Sequence, residues 1–136
     1  MLKKSLLLLL VISISSFLSF QQKPKLNLAE SITRGKDVYI AQCLTCHLEK
    51  GEGIEDVYPP LAKADYLMAD KKRSIEQVLY GARGEMKVNG KIYNAEMSAF
   101  DLTDQQASDV LNYIRNSFGN KGSAITTEEV KAARKK

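Results

Sequence analysis

Cys43-Leu44-Thr45-Cys46-His47 is the stretch on which the reading of this chain turns. The sequence has 136 residues, with two cysteines and one histidine, and all three fall within these five positions. Scattered at random they would do so on the order of one time in ten thousand, so the grouping carries chemistry. Cysteines three apart share one side of a helical turn. A histidine next in line can turn a ring nitrogen toward whatever the sulfurs hold. Four chemistries use such a pair: a disulfide of an exported protein, a redox dithiol, half of a zinc site, or a porphyrin joined through its two vinyl groups.

The rest of the chain separates these. Zinc needs two further nitrogen or sulfur ligands, and no cysteine or histidine is left to supply them. A thioredoxin-like dithiol wants a preceding strand and an alternating α/β pattern, which the sequence lacks. A covalently attached haem c with iron fits the pentapeptide, with Cys43 and Cys46 as the thioether positions and His47 as an axial ligand. It also fits the composition. The chain has no Trp and only four Phe, a thin core for a small domain unless a buried porphyrin fills it.

The first 20 residues read as a secretory signal peptide. Lys3 and Lys4 precede a run over residues 6–14 that is apolar except for Ser13, followed by serines and the polar Gln21-Gln22-Lys23-Pro24. An uncleaved anchor is the alternative, although the run falls short of the roughly 20 apolar residues of a membrane span. The expected site of the protein is therefore exported and periplasmic, touching the membrane only if this segment is retained. Formal charge is +4; without Lys3 and Lys4 the 20 basic residues become 18 against 16 acidic ones. That near balance is no nucleic-acid footprint.

Residues 21–29 read as a linker, residues 30–120 as one domain and residues 121–136 as a polar tail with a short helix capped by Thr126 or Thr127. Within the domain, Ile32, Gly35, Val38 and Tyr39 fall at helical spacing over residues 31–40. Gly35 in mid-helix points to close approach of a second helix. Gly51, Gly53, Pro59 and Pro60 mark an irregular loop. A short helix is expected over residues 73–79, capped by Ser74 and stopped at Gly81. Asn89-Gly90, set between Met86-Lys87-Val88 and Lys91-Ile92-Tyr93, signals a small β-hairpin. The clearest helix covers residues 103–118, with Thr103 and Gln106 as a capping box and an apolar stripe of Ala107, Val110, Leu111 and Ile114. The class expected is mostly α: a compact haem fold of three to five helices with one hairpin. Tyr58, Tyr66 and Tyr93 are read as packing residues, and Lys71-Lys72-Arg73 as a solvated face.

With one histidine, a second histidine ligand is impossible. The sixth position of the iron falls to a methionine, a lysine, water or nothing, and His/Met is the common electron-transfer pair. Met97, in a loop just before the last long helix, is the first candidate. Met86 on the hairpin is the second and Met68, after Tyr66-Leu67, the third.

These stretches together resemble a class I c-type cytochrome, in particular the bacterial monohaem domains found alone or fused to oxidases and dehydrogenases. The resemblance runs over roughly residues 30–120 and rests on Gly35-Lys36-Asp37-Val38-Tyr39, the pentapeptide, Tyr58-Pro59-Pro60-Leu61, Tyr93-Asn94-Ala95-Glu96-Met97 and residues 102–120. It implies that the first and last helices cross at near right angles through Gly35 and Tyr113. It also implies that the carbonyl of Pro59, or of Pro60, accepts the proton on the far nitrogen of His47. The family usually has proline after the ligand methionine, whereas this chain has Ser98, a departure that bears on the rigidity of the Met97 loop. The implied function is single-electron transfer between redox partner proteins (oxidase, reductase or dehydrogenase), not catalysis. The alternatives are a ligand-binding or peroxidase-type haem protein with an open sixth site, and a tethered subunit of a dehydrogenase or oxidase.

Overall fold

The computed structural model describes residues 26–134. The expected signal segment and most of the expected linker lie outside the described residues. The described chain runs α1 (Leu28–Gln42), α2 (Leu44–His47), α3 (Asp65–Ala69), α4 (Lys71–Tyr80), β1 (Met86–Val88), β2 (Lys91–Tyr93), α5 (Asp104–Arg115) and α6 (Thr127–Ala133). The class is mostly α with one small antiparallel hairpin, as expected. Helices number six among the described residues rather than three to five, because α2 and α3 are short turns of four and five residues.

Helix α1 starts earlier than residue 31. The Asn27 side chain accepts from the backbone N–H groups of Ala29 and Glu30, which satisfies two donors that a helix start leaves open. The last positions of the expected linker are therefore helical. Ser31 instead turns into the core and is fully buried. Helix α1 then crosses α5 at Gly35. A Cβ placed there would overlap the Asp109 carbonyl and lie 2.9 Å from Tyr113 Cβ, so the two backbones touch where only a hydrogen separates them. The crossing is stitched by a polar set that is buried except for Arg34. Ser31 Oγ donates to Asp109 at 2.5 Å, Arg34 binds the same carboxylate through Nε at 2.7 Å, and Asn112 Nδ2 donates to Ser31 Oγ at 2.9 Å.

Helix α5 carries the capping box, with Thr103 and Gln106 bonded reciprocally, and its stripe of Ala107, Val110, Leu111 and Ile114 is buried. Helix α4 begins at Lys71, capped by Asp70, whose side chain accepts from Arg73 N–H. Ser74, expected as the cap, lies inside the helix and donates to the carbonyls of Leu67 and Asp70. Gly81 follows the helix as expected. In the hairpin, Met86 faces Tyr93 and Val88 faces Lys91 around Asn89-Gly90, with Val88 and Tyr93 buried.

Of two segments read as surface, one reaches the core and the other is partly engaged. Ile125 and Val130, within the expected polar tail, are fully buried. Asn112 holds Ile125 by both backbone groups, Nδ2 donating to its carbonyl and Oδ1 accepting its N–H at 2.7 Å. Thr126 caps α6. In the basic run, Lys71 Nζ donates to the Ala124 carbonyl and pairs with Glu129, and Arg73 stacks on the Tyr66 ring at 3.8 Å while donating to the Tyr66 carbonyl. Lys72 alone of the three keeps to the exposed surface.

Two substitutions test this packing. Gly35→Ala should force α1 and α5 apart and destabilise the protein by about 1–3 kcal/mol or more, the range for overpacking a tight contact. Ile125→Ala should cost about 2–5 kcal/mol, whereas in a dangling tail it would cost nothing. Chemical denaturation of each variant measures both; an unchanged midpoint in either contradicts the contact it tests.

Candidate haem site

Cys43 ends α1 and begins α2. Its backbone, at φ −115° and ψ −27°, departs from ideal helix and breaks the axis there. The Cys43 N–H still donates to the Tyr39 carbonyl at 2.8 Å, and the Cys43 carbonyl accepts from His47 N–H at 3.0 Å. The break lets α2 bend so that Cys43, Cys46 and His47 all face one cavity of about 380 Å³. The far wall is α5, through Val110, Leu111 and Ile114. Leu67, Val88 and Leu102 close other sides.

Both thiols are free and half-buried, so the disulfide reading does not describe this conformation. Burial pushes the Cys43 thiol up to about 11, with the neighbouring Cys46 charge adding to the effect. A redox dithiol needs the opposite, a thiol lowered by positive surroundings.

His47 is 8% exposed, and its Nδ1 lies 3.0 Å from the Pro59 carbonyl oxygen. A carbonyl only accepts, so Nδ1 carries the proton and Nε2 is left with a lone pair. Burial holds the imidazole below its ordinary basicity, and the Pro59 bond works the other way. The ring is thereby neutral, oriented and unprotonated at one nitrogen, the state in which histidine binds metals.

Pro59 is brought to His47 by the loop after α2. Gly53 N–H donates to the His47 carbonyl at 3.1 Å, and the N–H groups of Leu61 and Ala62 both donate to the Gly51 carbonyl. Pro60 lines the same cavity, but it is the Pro59 carbonyl that meets the ring.

Of the methionines, Met97 and Met86 line the cavity. Met68 instead packs toward Gly122 of the C-terminal segment. The Met97 backbone is held on both sides: its N–H donates to the Ala82 carbonyl and its carbonyl accepts from Ala82 N–H, each at 2.9 Å. Gly81 makes this possible. At φ 80° it lies against the Met97 carbonyl, where a side chain would collide. What a proline after Met97 would supply in stiffness is thus supplied by a two-bond bridge to Gly81-Ala82. Sequence reasoning saw Gly81 only as a helix stop, and nothing in the sequence marks Ala82 as the partner of Met97.

An apolar cavity with two free thiols on its rim, a neutral imidazole with an open nitrogen and two thioethers in its wall fits a porphyrin with central iron. Tyr66 and Tyr93 pack against the core, as expected, and Tyr58 lines the cavity.

Comparison with known proteins agrees with this chemistry. The family model for cytochrome c matches residues 32–118. Cytochrome c-552 of Thermus thermophilus is 40% identical over 112 residues, which cover 75% of this chain and 85% of that protein. The cytochrome c subunit of the quinone alcohol dehydrogenase of Gluconacetobacter polyoxogenes is 30% identical over 95 residues, 68% of this chain but 20% of the subunit. The cytochrome c subunit of gluconate 2-dehydrogenase of Pantoea cypripedii is 35% identical over 107 residues, 74% of this chain and 24% of the subunit. Likeness over most of both the chain and the Thermus protein goes beyond a shared pentapeptide: this chain belongs to the cytochrome c family, haem proteins of electron transport that carry haem c covalently.

Proposed function

We propose that this protein is an exported single-electron carrier in which Cys43 and Cys46 hold the haem by thioethers and His47 and Met97 are the two protein ligands of its iron. The observation that carries the reading is the 3.0 Å contact of His47 Nδ1 with the Pro59 carbonyl. It fixes the tautomer, stiffens the ring and strengthens Nε2 as a donor. Bound haem supplies the redox centre, cycling between ferrous and ferric iron.

The chain's own part is to keep that centre the same in both states. His47 is set by Pro59, and Met97 is set by Ala82, so neither side need move when an electron arrives. The apolar walls exclude water, and a thioether ligand favours the reduced state and raises the potential. Catalysis at an open sixth site would call for a distal histidine or arginine; among the described residues no arginine lines the cavity, and its histidine is His47, already engaged. Cys43 and Cys46, half-exposed at the cavity rim, mark where a redox partner would approach through a small transient interface. Relatives named as dehydrogenase subunits favour a dehydrogenase among the partner classes. Export rests on Lys3, Lys4 and the apolar run of residues 6–14, and places the proposed work in the periplasm.

Acid–acetone treatment of the purified protein should leave the colour with the polypeptide; loss of the haem to the organic layer would contradict thioether attachment. Met97→Ala should abolish the weak far-red absorption of a thioether on ferric iron, lower the potential and let carbon monoxide bind the ferrous form. Met86→Ala should keep that absorption and, because Met86 is only partly buried, cost less than the roughly 2–5 kcal/mol of a fully buried methionine. The reverse pattern in the two spectra would assign the ligand to Met86.

A further inference from the structure

Leu48, directly after His47, has φ 60° and ψ 173°. That region is close to glycine's alone, and a side chain stays there only when its surroundings hold it. The Leu48 carbonyl is held twice, by the Tyr39 hydroxyl donating at 2.6 Å and by Gly51 N–H at 3.2 Å. Tyr39 is 1% exposed, and its ring packs in a mutual cluster with Tyr113 and Phe118, each ring centre 5.3 Å from its own and 5.5 Å from the other. The hydroxyl therefore cannot swing off its target. The Tyr39 backbone carbonyl also accepts from Cys43 N–H at 2.8 Å. One residue thus grips both ends of residues 43–48, by its backbone before the pentapeptide and by its side chain after it.

We propose that Tyr39 is the positioning residue for His47, its hydroxyl locking the strained Leu48 turn so that the imidazole stays aligned with the Pro59 carbonyl. The inference rests on the reading of His47 as haem ligand. A phenylalanine would fill the same space against Tyr113 and Phe118, so packing does not account for the hydroxyl. A buried hydroxyl without a partner is unfavourable, and this one spends its proton on the carbonyl of Leu48, the residue directly after the haem motif. When the Leu48 turn relaxes, the His47 carbonyl held by Gly53 and the ring held by Pro59 lose their common frame. The Nδ1 bond then weakens, the imidazole becomes a poorer donor, and ferric iron is less favoured.

The test uses the full haem-loaded protein as wild type, Tyr39→Phe and Tyr113→Phe. The third removes a hydroxyl from the same aromatic cluster that is not bonded to the turn. Two quantities are read: the exchange rate of the His47 Nδ1 proton by NMR of the ferrous protein, and the midpoint potential. Tyr39→Phe should speed the exchange about fivefold or more, the equivalent of one hydrogen bond of about 1 kcal/mol, and raise the potential. Tyr113→Phe should leave both at the wild-type values. Wild-type exchange and potential in Tyr39→Phe overturn the proposal, as do equal changes in both variants, which would make Tyr39 a packing residue only. A wild-type spectrum without the signals of an iron-bound imidazole would instead overturn the ligand reading, and this inference with it.

Discussion

The contact of Gly35 with the Asp109 backbone governs the geometry of everything downstream. Two helices that meet with no side chain between them can adopt few relative positions, and here the Ser31–Asp109–Arg34 set fixes the one they take. Helix α1 ends two turns later at Cys43. Its angle against α5 therefore decides where both cysteines and His47 come to lie, while α5 itself supplies the opposite wall through Val110, Leu111 and Ile114. The cavity is in effect the space between one helix end and the side of another. A change at Gly35, remote from any thiol or ring nitrogen, acts on that space first.

Cys46 and His47 sit on the short helix α2, but the residues that meet them, Pro59 and Met97, sit on segments that are neither helix nor strand, yet those segments are tightly held. On one side, residues 48–62 are tied by backbone bonds that converge on His47 and Gly51; on the other, Met97 is bonded both ways to Ala82. Irregular backbone is costly to bury unless its polar groups are paired. Here the pairing also makes the loops stiff. A carrier needs this stiffness, because any rearrangement accompanying a change of oxidation state slows transfer in both directions.

Where local chemistry decides the structure, the sequence could be read. The capping box at Thr103, the Asn89-Gly90 hairpin, the stripe of α5 and the helix stop at Gly81 each follow from residues a few positions apart, and each is found. The His47–Pro59 contact was accessible only through resemblance to a family, since nothing local ties residue 47 to residue 59. Long-range polar partners were out of reach. Ser31 looked like an ordinary helix residue and Ser74 like a cap, but both are drawn inward by partners that their neighbours in sequence do not reveal. The end of the chain was misjudged for the same reason. Its composition is polar, and it takes Asn112 and Ser108, residues on another helix, to make Ile125 part of the core. The Tyr39 hydroxyl escaped notice because its ring already had a role as a packing residue.

The buried seat of Ile125 has a bearing on the order of events during synthesis. A ribosome delivers this chain from its N-terminus, so α1 and the cysteine pentapeptide emerge long before the helix that α1 must cross. Asp109, the partner of Ser31, is 78 residues further on, and the carbonyl of Ile125, which Asn112 holds, comes later still. A domain whose first helix packs on α5, and whose α5 in turn holds Ile125, cannot close piecemeal. The growing polypeptide consequently remains open until nearly its full length is made, with both thiols and the imidazole accessible throughout. Chemistry that must reach those side chains before they are enclosed thus has the whole period of translation, and any threading across a membrane, in which to act.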